Sequence, residues 1–211
     1  MTDPIPLPVR RLPNQTLHHV WAPKLHRPIA FSSVAQVRLW VMLEANPGVT
    51  KYCERPALPG EHGSEPVADF WAEHDGTAHW FVLGDDVDDH VDLPDTDPST
   101  PHTPHTEIVS VKDLEHHRVW IQNWMSLLPY LTTGNHLIDS TLRENVIHFF
   151  NAEATLEHAE HHFTRHDAVL VRTAVIAALH SGQLASTDLI TLPLSRQTRF
   201  IRYGRGPSHA A

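Results

Sequence analysis

One cysteine, Cys53, in 211 residues leaves no disulfide framework and too few thiolates for a cysteine-built zinc or iron–sulfur centre. No apolar run approaches the roughly 20 residues that span a bilayer. The first fifteen residues are Pro-rich and lack the apolar core of a signal peptide. There is no phosphate-binding P-loop, no Gly-x-Gly-x-x-Gly and no Gly-x-Ser-x-Gly. Charged residues are scarce at 19%. The expectation is a soluble, cytoplasmic protein with no membrane partner. In their place are 17 Pro, 19 His and a formal net charge of −9.

That charge is local. Residues 85–107 hold seven Asp and one Glu and no Lys or Arg; without those eight acids the chain carries 17 acids against 16 bases. The last 23 residues hold no acid and four Arg. An acidic loop and a basic end are compatible with nucleic-acid binding through the basic end.

Residues 1–29 carry six Pro without periodicity and read as an extended arm, with Arg10, Arg11, Lys24 and Arg27 as its bases. Ser32 and Ser33 then offer N-caps for a helix built on Val34, Val37, Trp40 and Val41, which Asn46-Pro47-Gly48 stops. Three strands follow at Val49–Glu54, Val67–Trp71 and His79–Leu83, the last two joined through Asp75-Gly76. The acidic segment has Pro at 94, 98, 101 and 104 and little to bury, so it reads as a disordered loop or linker. Its His102 and His105 could bind metal, but two His on such a loop are more simply read as having no role. Glu107–Lys112 is a further candidate strand, and Leu114–Tyr130 a helix.

The remainder is helical over Thr141–Phe150, Thr155–His162 and Ala168–His180, with Thr155 and Asp167 as caps and Ser181-Gly182 as a stop. Leu184 and Leu192–Tyr203 could then form a β-wing. Helix, turn, helix, Gly and hairpin make a winged helix-turn-helix plan, which serves either DNA or protein partners. On the DNA alternative, Arg172 and Thr173 of the third helix face the groove. Arg196, Arg199 and Arg202 of the tail, with Arg205 beyond them, lie near phosphates. His158, His161 and His162 share a helix face at metal-site spacing, but no third ligand is evident, and a polar face is the simpler account.

The first helix and its strands carry one ordered set of short motifs: Arg27-x-x-x-x-x-Ser33-x-x-Gln36, Leu43-Glu44-x-Asn46-Pro47-x-Val49, Tyr52-x-Glu54-Arg55-Pro56 and Ala68-Asp69-Phe70. The set resembles the nuclease domain of TnsA-type endonucleases, which cut the 5′ ends of heteromeric bacterial transposons. The resemblance covers roughly 27–83. It implies an α+β protein: a restriction-endonuclease-like mixed sheet with flanking helices over 30–112, including the acidic loop 85–107, and a helical winged-helix domain over 113–211.

Such a site needs carboxylates converging on Mg²⁺ and a Lys that stabilises developing charge. The chain departs from it. Gln36 stands at the helix Glu position, Asp69 is retained, and the third-strand Glu/Gln-x-Lys falls on Val82 and Gly84. If the acidic stretch is an insertion, Ser110-Val111-Lys112 takes that place instead and supplies Lys112. The expected site is therefore Asp69, Lys112 and the degenerate Gln36, with a weak or absent metal centred on Asp69. No cofactor is expected, or Mg²⁺ if the site is active. The function implied is a DNA-binding or assembly component of a transposase or related mobile-element machine, partnered by DNA and other transposase subunits. Two alternatives stay open, an active Mg²⁺-dependent endonuclease and a protein adaptor that does not touch DNA.

Overall fold

Two short antiparallel pairs lead into the first helix. β1 (Ile5–Pro6) pairs with a strand described below, and β2 (His18–Ala22) pairs with β3 (Arg27–Phe31) as a hairpin. The structure, a computed structural model, describes residues 3–9, 13–57, 66–84 and 105–203. The hairpin corrects the expectation of an extended arm through residue 29. Its Ala22, Ile29 and Phe31 are buried, so this Pro-rich stretch folds because alternate residues reach the core. Arg10 and Arg11 lie outside the described residues.

Ser33 Oγ accepts from Gln36 N at 3.1 Å and caps α1 (Val34–Ala45). β4 (Val49–Glu54), β5 (Pro56–Ala57, the partner of β1), β6 (Phe70–His74) and β7 (Thr77–Leu83) follow, then β8 (His105–Val109) and α2 (Val111–His116). β4, β6, β7 and β8 form one mixed sheet in that order, antiparallel except for β8, which runs parallel to β7. The β6–β7 turn places Asp75 and Gly76 at φ of 48° and 78°, the positive-φ hairpin geometry that the Asp-Gly pair favours. One sheet face buries Cys53, Ala68, Trp71 and Trp80 with Val82 against them. On the other, Phe70 meets Phe31, which meets Trp40 of α1, at ring separations of 5.6 and 6.0 Å.

At the end of α1 a fully buried carboxylate, Glu44, accepts from Tyr52 Oη at 2.6 Å and from Lys24 N at 3.0 Å, while Trp40 Nε1 donates to the same Tyr52 oxygen. Lys24 Nζ donates to Leu43 O at 3.0 Å. Burial pulls the Lys24 ammonium down from 10.5 to about 8, against an opposing pull from Glu44. The folded chain thus binds fewer protons at Lys24 than the unfolded chain from about pH 8 upward, so this group makes stability rise with pH there. Burial and the neighbouring Glu54 push the Cys53 thiol up to about 12 from 9.0, which lowers stability above about pH 9. Urea unfolding of the parent chain and Lys24→Met at about pH 8 and pH 9 isolates the first effect. The parent's unfolding free energy is expected to rise relative to the variant's; parallel curves would show that Lys24 is not buried as described.

The chain divides into two compact units, the first running through Glu44 and over Gly48–His116, the second comprising Ala45–Pro47 and everything from His117. The division falls at His116/His117 rather than at 112/113 because residues 111–116 complete a helix of the first unit. The second unit contains α3 (Arg118–Gly134), a 3₁₀ turn at Asn135–Leu137, α4 (Ser140–Phe149), β9 (Ala154–Thr155), α5 (Leu156–His162) and α6 (Ala168–His180). β10 (Leu184–Ala185), α7 (Asp188–Thr191) and β11 (Arg199–Arg202) complete it. Side chains of Asp139, Thr155 and Asp167 cap α4, α5 and α6. The three strands make an antiparallel sheet in the order β10-β11-β9. Asn123 of α3, itself buried, donates to Leu189 O and Leu192 O and accepts from Leu194 N, so one amide with its hydrogen bonds satisfied fixes the β10–β11 connection against α3. Among the described residues no helix is long and apolar enough to cross a membrane.

Candidate functional site

Gln36 and Asp69 meet. Gln36 Oε1 accepts from Ser32 N at 3.0 Å and from Ser32 Oγ at 3.1 Å, which turns its amide nitrogen toward the sheet. There Nε2 donates to Asp69 Oδ1 at 2.9 Å. The other carboxylate oxygen accepts from Leu83 N at 2.8 Å. The backbone of Asp69 also bridges, its N–H bonding Phe81 O and its carbonyl accepting from Arg55 N. α1, β6 and the end of β7 thus converge on one half-buried carboxylate, and both of its oxygens are engaged by neutral donors. A carboxylate held this way has one donor on each oxygen, and alone it offers little to a hard cation, which needs several oxygen ligands.

The two third-strand positions offer no polar side chain. Val82 packs on Cys53, Ala68, Trp71 and Trp80. Gly84 donates its N–H to Val109 O, and a Cβ there would lie 3.2 Å from Ile108 Cγ2. The other candidate for the third motif is corrected. β8 ends at Val109, and Ser110-Val111-Lys112 opens α2 instead of forming a strand. Ser110 N and Oγ donate to Asp113 Oδ2 while Asp113 N donates to Ser110 Oγ, a reciprocal cap that starts the helix. Lys112 is exposed on that helix and is not a strand-borne partner of Asp69. Among the described residues no three His, Cys, Asp or Glu side chains are grouped to hold an ion. Cys53 is buried, and burial pushes its thiol up, which disfavours the thiolate that a nucleophile needs.

In the second unit the residues expected to contact DNA are buried or already engaged within the chain. α6 is buried on nearly every side: Thr173 has no exposed surface, and its Oγ1 donates to Val169 O at 2.7 Å. A Cβ added at Gly134 of α3 would come within 3.0 Å of Thr173 Oγ1, so the missing side chain lets α3 close over the face that would enter a groove. Arg172 is committed elsewhere. Its Nε and Nη2 donate to Glu160 Oε1 at 3.0 and 2.5 Å, and Nη1 donates to Tyr130 Oη.

The tail arginines are engaged in the same manner. Arg196 bonds Glu160 Oε2 and lies 3.4 Å from Glu157. Arg199 grips Asp188 through its backbone N–H, Nε and Nη2, and these donors hold the Asp188 carboxyl below its usual range. Arg202 Nη1 donates to Asn151 Oδ1. Arg205, His102 and residues 85–104 of the acidic segment lie outside the described residues. Its last three, 105–107, belong to β8 and not to a loop.

His79 carries no motif in the sequence. It sits beside His74 and His105 and bonds Glu107, a grouping made by strand pairing across the acidic segment. No protein-family model matches the chain, and no curated protein matches it. The molecule is an α+β protein of two units with a mixed four-stranded sheet in the first.

Proposed function

We propose that the chain is a TnsA-like, non-cleaving assembly subunit of a heteromeric transposase or related mobile-element machine. The observation that carries this is the lock on Asp69, closed by Gln36 Nε2 at 2.9 Å and Leu83 N at 2.8 Å where a nuclease would gather carboxylates around Mg²⁺. The path from α1 through three antiparallel strands to a fourth strand parallel to the third supports a restriction-endonuclease-like plan. The order β10-β11-β9 around α4, α5 and α6 supports a winged-helix plan for the second unit. The covered α6 and the paired Arg172, Arg196 and Arg199 favour protein contact over groove reading, so in this proposal DNA is reached through the assembly. That aligns the function with the adaptor alternative rather than with an active endonuclease.

Incubation with supercoiled plasmid and Mg²⁺ or Mn²⁺ is expected to give no nicking above buffer. Metal-dependent cleavage that disappears in Asp69→Ala would overturn the proposal. For the assembly half, the chain is expected to co-elute with the recombinase subunit of its own element on gel filtration; separate elution at micromolar concentration counts against it.

A further inference from the structure

We propose that His79 and His105 form a binding site for a divalent transition metal of the zinc type, with Glu107 fixing the orientation of His79. The two histidines are direct partners in the parallel β7–β8 register, so their side chains leave the same face of the sheet. Their ring centroids are 5.6 Å apart. Two imidazoles bound to one tetrahedral Zn²⁺ place their rings about 5 Å apart, so small side-chain rotations bring them to ligating distance.

His79 is prepared for this. Its Nδ1 lies 2.9 Å from Glu107 Oε1, and in the tautomer with Nδ1–H that hydrogen donates to the carboxylate and the Nε2 lone pair is the one a metal would take. A carboxylate behind a histidine is the arrangement that orients metal-binding imidazoles and raises their basicity. The His79 side chain is 17% exposed and stacks along Phe81, which restricts its ring, whereas His105 is exposed and free to adjust. His74, whose ring lies 6.1 Å from that of His79, is a third imidazole at the same place. No three such groups converge among the described residues, so the site is a two-histidine pair whose remaining positions water completes.

A metal here would tie β8 to β7. That pairing is long-range: β8 returns parallel to β7 only after the chain has passed the acidic segment, and a parallel pair has no tight turn to hold its register. The role that follows is structural, independent of the locked Asp69, and exerted on the edge strand of the sheet.

The test uses the full chain with Zn²⁺ in calorimetry and Co²⁺ in visible absorption. With 19 His in the chain, stoichiometry carries the result. Wild type is expected to show one equivalent tighter than the rest, lost in His105→Gln, which alters an exposed side chain and leaves the fold intact. Glu107→Gln is expected to keep that equivalent but weaken it about tenfold or more. Zn²⁺ should raise the thermal midpoint of wild type and not of His105→Gln. Persistence of the tight equivalent in His79→Gln/His105→Gln would overturn the proposal. So would its loss in His158→Gln/His161→Gln, which would place the metal on α5.

Discussion

Gln36→Glu is expected to destabilise the protein by about 3 kcal/mol at neutral pH, in spite of adding the acid that a nuclease site requires. The parent amide donates to Asp69 Oδ1 at 2.9 Å, so the substitution removes a donor and sets a second carboxylate against the first. Two unit charges about 4 Å apart repel by roughly 4 kcal/mol at an effective dielectric near 20, and partial exposure of Asp69 lowers the figure. The Ser32 donors to the other side of residue 36 survive, so the loss is confined to the facing pair. Repulsion raises the affinity of the folded variant for one proton, so the defect should shrink as pH falls toward about 5. Mn²⁺ or Ca²⁺ should relieve it as well, stabilising Gln36→Glu and leaving the parent unchanged. Urea denaturation at two pH values, with and without Mn²⁺, reads all three effects. A variant as stable as the parent and indifferent to metal would mean that residue 36 does not face Asp69.

The meeting of Gln36 and Asp69 was legible because both sit in short motifs whose order along the chain mirrors the order of elements in space. Capped helices were legible for a local reason: Thr155 and Asp167 act within three residues. The start of α2 carried an equally local signal, Ser110-x-x-Asp113, which outweighs the brief apolar alternation that suggested a strand through Lys112. α6 shows why Thr173 is not on an exposed face. Its sequence, Ala168 to His180, is apolar around almost its whole circumference, the pattern of a buried helix and not of one with a free face. The hairpin at 18–31 was obscured by Pro23 and Pro28, yet a two-stranded edge pair tolerates Pro28, whose missing N–H breaks no interior ladder. The His79–His105 pairing could not be read locally, because only sheet topology joins residues separated by the acidic stretch.

The second large effect concerns the arginines. Arg172→Ala/Arg196→Ala is expected to cost about 3 kcal/mol of stability and to leave duplex sequence preference unchanged. Glu160 is the reason. Its side chain is only 4% exposed, and its two oxygens are divided between the guanidinium groups, Oε1 to Arg172 and Oε2 to Arg196. Removing both leaves a buried carboxylate without its cations, a defect that costs about 3–5 kcal/mol in buried pairs. The lower end applies because the arginines are 27% and 53% exposed and partly screened by solvent. Adding Glu160→Gln to the double variant should recover part of the loss, since a neutral amide tolerates the site better than an orphaned charge. Recovery separates the electrostatic account from simple loss of side-chain packing, which Glu160→Gln would not repair. Fluorescence anisotropy against a set of duplexes completes the experiment. If Arg172→Ala kept full stability and shifted the preferred duplex, Arg172 would be a DNA contact after all, made by the part of its side chain that solvent reaches.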